Sequence, residues 1–333
     1  MTIQAPAPRR RFGHLALPGL VLVGLAAAPF VGFGNGFALG LLARAMILGI
    51  AAVGLSLLVG GAGLISLGQA AMFGAGAYTV ATLDLFGVTN SLAVVPAAVA
   101  AGAGLALLTG TVSLRTSGAH FIMITLAFGQ MAFFTASSLS ALGGDDGYTL
   151  YARTTWFGTA ALANGLVFHF VCLGALTAAW LLCSAVLDSR FGRVLRAARE
   201  NPVRVQALGF QPYPYRLLAY VLAGGLSGLA GALMANASEF VSPAMLSWGQ
   251  SGELLFMVIL GGSGRLYGAI LGALAIVLLE QYLSQYLTYW RLAYGPMLVL
   301  AVLFMRNGLA GLTDPRATRP GRPPLRSGRR ADA

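Results

Sequence analysis

Apolar and polar positions alternate along this chain in long blocks. Crossing roughly 30 Å of hydrocarbon takes about 20 apolar residues, and in lipid such runs satisfy their backbone groups only as helices. Ten runs are predicted to do so, at approximately 15 to 33, 37 to 59, 62 to 83, 92 to 114, 119 to 142, 162 to 187, 216 to 238, 246 to 263, 266 to 288 and 292 to 310. Glycine and polar residues interrupt the third and the eighth is short, so eight or nine remain open as counts. The pattern predicts an all-α, polytopic transmembrane helix bundle.

The polar blocks differ among themselves. Residues 1 to 13 form a short N-terminal tail, and 313 to 333 form a basic, Pro-rich tail with almost nothing to bury, expected to be disordered. Between them lies one membrane domain, 14 to 312. Its longest polar connection runs from about 188 to 215 and carries Arg190, Arg193, Arg196 and Arg199 three apart, which on a helix spreads into a broad basic face. Glu200, Asn201 and Pro202 should interrupt that helix, because Pro restricts the residue before it yet opens a new helix well. A second short helix, PVRVQAL, should end at Gly209, a natural left-handed cap. The product is a compact knob suited either to a partner's groove or to anionic lipid. Two connections on the opposite side, 143 to 158 and 239 to 253, suit either a pore cap that meets a soluble partner or ordinary solvated loops.

Composition places the chain among membrane proteins: 57% hydrophobic, 9% charged, with 45 glycines. The net charge of +11 raises the question of nucleic acid, but its distribution answers it. All 21 basic residues are Arg, and with ten spans and a cytoplasmic N-terminus eighteen of them fall on the cytoplasmic side, tails included. Asp84, Asp145, Asp146 and Glu239 fall outside. The excess reports orientation in the membrane, with both termini cytoplasmic, and contact with anionic lipid, not nucleic-acid binding. The first run resembles a signal peptide, but further spans follow at once and it reads as a retained helix.

Chemistry is sparse. His14, His120 and His169 have no metal-ligand spacing, and Cys172 and Cys183 lie too far apart on one helix to bridge, so neither a metal nor a disulfide is expected. Carboxylates deep in spans would mark ion-coupled transport. Arg44 is expected to snorkel, and Glu253 and Glu280 fall near helix ends. No hydrolase motif occurs, and a chain without Lys has no Walker A loop, so no enzyme activity and no cofactor are expected and any ATP is bound by partner subunits. Gly264, Gly268 and Gly272, and again Gly224, Gly228 and Ala232, recur four apart and predict close helix packing.

Several ordered segments carry a resemblance. GLSLLVGGAGLISLGQAAMFGAGAYTVATL (54 to 83), SGAHFIMITLAFGQM (117 to 131), GGDDG (143 to 147), FGRVLRAARENPVRVQALGF (191 to 210), LLFMVILGGSGRLYGAILGA (254 to 273) and RNGLAGL (306 to 312) resemble permease subunits of branched-chain amino-acid ABC importers, the LivM-like branch. The likeness covers roughly residues 40 to 312. It implies a non-catalytic permease that pairs with a homologous second permease, two ABC ATPase subunits and a periplasmic substrate-binding protein. It also implies that the loop with Arg193, Arg196, Arg199, Glu200, Asn201 and Gly209 couples to an ATPase. The family usually has His where this chain has Gln69, and often acidic residues at Ala119 and Gln130, which bears on the solute more than on the architecture. Branched-chain or other small hydrophobic amino acids are the expected solutes, with urea, amides or another small organic solute as the alternative and a stand-alone secondary transporter as the more distant one. Ser66, Gln69, Thr125, Gln130 and Ser227, polar in otherwise apolar spans, are candidates for lining the path or for bonding helix to helix.

Overall fold

The structure, a computed structural model, describes residues 13–30, 36–151, 153–155, 161–262, 264–286 and 308–312, with isolated positions between 289 and 296. Both expected tails and most of the tenth expected span lie outside the described residues. The chain is helical almost throughout: α1 (Gly13–Ala27), α2 (Gly36–Ser56), α3 (Gln69–Leu85), α4 (Ser91–Ser113), α5 (Ala119–Ser138), α6 (Gly165–Asp188), α7 (Arg190–Glu200), α8 (Pro202–Ala207), α9 (Pro212–Ser238), α10 (Trp248–Gly261), α11 (Leu266–Tyr286) and α12 (Leu309–Leu312).

Among the described residues six stretches are long and apolar enough to cross a membrane: Gly36–Ala62, Ser91–Ser113, Ala119–Ser138, Gly165–Asp188, Pro212–Ser238 and Leu266–Tyr286. They fall on six of the ten expected runs. The third and eighth runs are shorter helices, α3 with 17 residues and α10 with 14. The reason lies in the preceding segments. Gly60, Gly61, Gly63 and Gly68 unwind the approach to α3, while Pro243 and Ser247 hold residues 239–247 in turns before α10.

The buried centre is α2, packed against α6, α9, α10 and α11, with every residue from Ala45 to Ser56 buried. A second layer packs α3, α4 and α9 against one another. Glycine makes this possible. At Gly76 an added Cβ would strike the Gly228 carbonyl, and at Gly102 it would come 2.9 Å from the Gly228 Cα, so α3, α4 and α9 touch backbone to backbone. Gly268 and Gly272 bring α11 equally close to Gly261 and Met257 of α10. Gly264, grouped with them by its spacing, instead precedes the helix at φ 107°. By contrast α5 is attached along one stripe, Phe121, Thr125, Gly129 and Ala136.

The Arg-rich connection gathers at one end of the bundle with the ends of α4 and α6 and the start of α9. Residues 84–90, 139–155 and 239–247 gather at the other. There the two loops that read separately in sequence pair as a short antiparallel ladder, Tyr148 with Val241 and Thr149 with Phe240. The Tyr148 hydroxyl donates to Asp84 at 3.1 Å, and Arg153 binds Glu239 at 3.0 Å. Partial burial first, and then the Asp84 carboxylate, hold the Tyr148 phenol above its ordinary pKa. Glu239 is the one non-glycine residue with positive φ, 53°, among those described.

Candidate functional site

The centre of the molecule is a break in a helix. After Ser56 the last turn of α2 widens into a π-helix, Leu57–Ala62, and ends on Gly63 in the left-handed conformation at φ 70°. Leu58 O accepts from both Gly63 N and Leu64 N, and regular helix resumes only at Gln69. An unpaired N–H or C=O in a bilayer costs several kcal/mol, so the liberated backbone needs other partners. Leu67 N donates to the Thr125 hydroxyl of α5 at 3.3 Å, Gly68 N to its neighbour Ser66 at 3.2 Å, and Ala70 N to Ser251 of α10 at 2.9 Å.

Side chains complete the knot. Ser66 Oγ lies 3.4 Å from the Tyr220 hydroxyl, and Gln69 Nε2 donates to Ser227 Oγ at 2.6 Å and to Ala223 O at 3.1 Å. That second acceptor is a carbonyl, which fixes which end of the Gln69 amide carries the hydrogens. Its Oε1 is then left buried and without a partner. Ser227 stands about 22 Å along α9 from its first residue and about 16 Å from its last, at 1.5 Å per residue. The knot therefore lies deep between the two ends.

Four of the five polar residues singled out in the sequence, Ser66, Gln69, Thr125 and Ser227, meet here, each fully buried. Gln130, farther along α5, is half-buried and joins none of these bonds. Ser251 and Tyr220 were missed. A lone Ser at the start of a short apolar helix carries no signal of its own. Tyr220 was legible only as the sole aromatic polar group in the apolar part of α9.

Ionic chemistry also gathers within the bundle. The Arg44 guanidinium binds Glu280 of α11 at 3.1 Å, with 43% of the Arg44 side chain still exposed. Glu253 of α10 interacts with both, takes a hydrogen bond from Gln250 at 3.3 Å, and keeps Oε1 buried and unpartnered. A charge in lipid is costly, and three residues from three helices share it here. Among the described residues no group of three His, Cys, Asp or Glu could hold a metal, Cys172 and Cys183 are free and buried, and His169 bonds Leu25 O at 3.0 Å.

At the basic end, α7 and α8 form as their residues dictate. Ser189 caps α7 through Gly192 N, Asn201 caps α8 through Arg204 N at 3.0 Å, and Gly209 closes it at φ 85°. Gly192, Leu195 and Ala198 are buried while the four arginines of α7 line its outer side. Three of their head groups turn back onto backbone. Arg193 donates to Asp188 O at 3.3 Å, Arg196 to Leu187 O at 2.9 Å and Arg199 to Gly60 O at 2.6 Å. Such bonds use the carbonyls that helix ends leave open, where a cation is favoured. Glu200 is exposed. Outward at the α8 corner stand large apolar side chains, Val203 71% exposed, Leu208 72% and Phe210 45%, among the exposed polar Arg204 and Gln206. Beside them an open hollow of about 450 Å³ is lined by Leu114, Pro202, Gln206, Tyr213 and Arg216 among others. The spacing of the arginines did not reveal this corner.

Long apolar helices around a deep, uncharged polar knot, with a folded basic element at one end, define a multi-pass membrane protein of the permease type. The chain belongs to the family described as branched-chain amino acid transport system, permease component, whose model matches residues 37–305. It is 27% identical over 294 residues to the high-affinity branched-chain amino acid transport system permease protein LivM of Escherichia coli K12, covering 81% of this chain and 69% of that one. It is 30% identical over 151 residues to the probable permease LivH of Methanocaldococcus jannaschii, covering 42% and 45%. The ribose import permease RbsC of Escherichia coli K12 is 27% identical over 285 residues, covering 80% and 81%. No solved structure matches.

Proposed function

We propose that this chain is one of two permease subunits of an ATP-driven importer in a bacterial inner membrane. A periplasmic binding protein delivers branched-chain or other small hydrophobic amino acids, and two ATPase subunits, which alone bind ATP, drive their passage. Ten spans with both termini in the cytoplasm fit the arrangement, α3 and α10 reaching only part of the way across. The basic end is then cytoplasmic and the paired loops 139–155 and 239–247 face the binding protein.

The observation that carries the reading is the connection 188–215. It is a folded, capped element, three of whose arginines bond back to backbone carbonyls and whose outward corner exposes apolar side chains beside basic ones, as a surface made to seat in another protein requires. Val203, Leu208, Phe210 and the outer arginines Arg193 and Arg204 form its docking face. Arg196, Asn201 and Gly209 hold its shape, and Glu200 rims it. The knot of Ser66, Gln69, Thr125 and Ser227, with Gln130 above it, lines the path when the break opens. It carries no charge, which suits a solute that must be released and not retained.

A second reading is a stand-alone secondary transporter, and the Arg44, Glu280 and Glu253 cluster favours it, since ion coupling uses such groups. Mass spectrometry of what co-purifies with the tagged chain from its native membrane in mild detergent separates the two. The importer reading expects a second permease, two ATPases and a binding protein whose bound ligand names the solute. Since a ribose permease shares the scaffold, a sugar or another small organic solute in that protein would correct the solute alone. A chain that emerges by itself, under conditions that keep known importers whole, overturns the importer.

A further inference from the structure

We infer that Arg199 is an internal tether that couples the cytoplasmic element to the helix break, a positioning residue for transport and not a contact to the ATPase. The inference rests on the importer reading and adds the route inside the chain. Three observations meet at this side chain. Arg199 Nη1 donates to Gly60 O at 2.6 Å, a carbonyl within the π-turn. Its aliphatic stem covers Gly63, where an added Cβ would lie 2.7 Å from Arg199 Cγ, so the left-handed turn and the arginine are fitted to each other. One turn earlier on the same helix, Leu195 is fully buried, and its Cδ2 would be 3.2 Å from a Cβ at Gly61.

The element that carries Arg199 is braced to move as one piece. Arg216 of α9 donates to Ala198 O at 3.0 Å, Arg196 holds Leu187 O, and the Phe191 and Tyr215 rings lie 5.4 Å apart. The π-turn at the other side of the tether leads in five residues to Gly68. Over that stretch the backbone is held by hydroxyls of Ser66 and Thr125 and not by a helix ladder. A displacement of α7 thus reaches the unwound backbone of the core through one charged hydrogen bond and one glycine contact. A π-turn stores an alternative register that a small pull can shift.

The test uses the whole complex purified from native membranes, with Ile65→Cys as reporter. Ile65 lies in the break and is 40% exposed, whereas the native thiols Cys172 and Cys183 are buried. Trapping the ATPases with ATP and vanadate is expected to change the maleimide labelling rate at this position by about fivefold, the low end of ordinary coupling between sites. Arg199→Met is expected to abolish that change while the ATPases still co-purify, and Arg199→Lys, which keeps a donor and a charge, to restore part of it. An arginine that only caps a helix end would lower thermal stability and leave the nucleotide response intact. A full response in Arg199→Met therefore overturns the tether and leaves the importer standing. No ATPase in the complex even with Arg199 intact overturns both.

Discussion

In the seam formed by α3, α4 and α9, Gly76, Gly102 and Gly228 let regular helices touch along their backbones. From Leu57 the helix widens into a π-turn, and between Gly63 and Ala70 the backbone leaves it and takes hydroxyl partners, one of its own and others from α5 and α10. The seam needs the absence of side chains, and the break needs their presence. The seam therefore joins its helices rigidly, whereas the break makes the position of α3 depend on what α5, α9 and α10 do.

The sharpest way to break this comparison is to fill the seam. Gly228→Val would drive its Cβ into the Ala98 carbonyl and is expected to cost about 3 kcal/mol or more, read as a lower unfolding temperature in detergent. Gly174→Val on α6, with nothing within 4 Å, should leave that temperature unchanged. Next in size, Gln69→Leu removes the bonds to Ser227 and Ala223 O but also the orphaned oxygen, for a net loss of about 2 kcal/mol. Uptake should fall further than that loss of stability alone would bring about.

Thr125→Val and Ser251→Ala each unpair one backbone N–H, at about 1 to 2 kcal/mol apiece. Combined, they should depart from additivity, because both hold the same unwound segment; additive unfolding shifts would mean the two helices do not share it. The smallest effect belongs to the far end. Glu239→Ala loses the pair with Arg153 and keeps the positive φ, for about 1 kcal/mol. Glu239→Gly relieves the backbone and should recover about half of that in the same melt.

Local chemistry made some of this legible before any coordinates. The interruption at Asn201 and Pro202, the stop at Gly209 and the glycine spacing on α9 and α11 are properties of a few adjacent residues, and the structure agrees with the sequence at each except Gly264, which lies before α11. The break was hidden because LLVGGAGLIS is apolar. A hydropathy reading sees one membrane run ending and another beginning, although four glycines within nine residues and the Ser that follows Ile65 were its signal. The partner of Arg44 was not legible, because Glu280 stands 236 positions away. The arginines of α7 were legible as a basic face, but not their inward turn, which depends on open carbonyls that only the fold brings near.

The lengths of α3 and α10 also bear on how this protein is made. At 1.5 Å per residue, 17 and 14 residues cover about 26 and 21 Å, less than the roughly 30 Å that an inserted helix must bridge alone. Neither has a stable place in the bilayer when it first leaves the ribosome. The α3 segment must wait for α4 and α9, and α10 for α11, so the chain can complete its insertion only after more than half of it has been synthesised. A ribosome stalled before α9 would leave a chain with an unfinished membrane core, the kind of intermediate that membrane quality control removes.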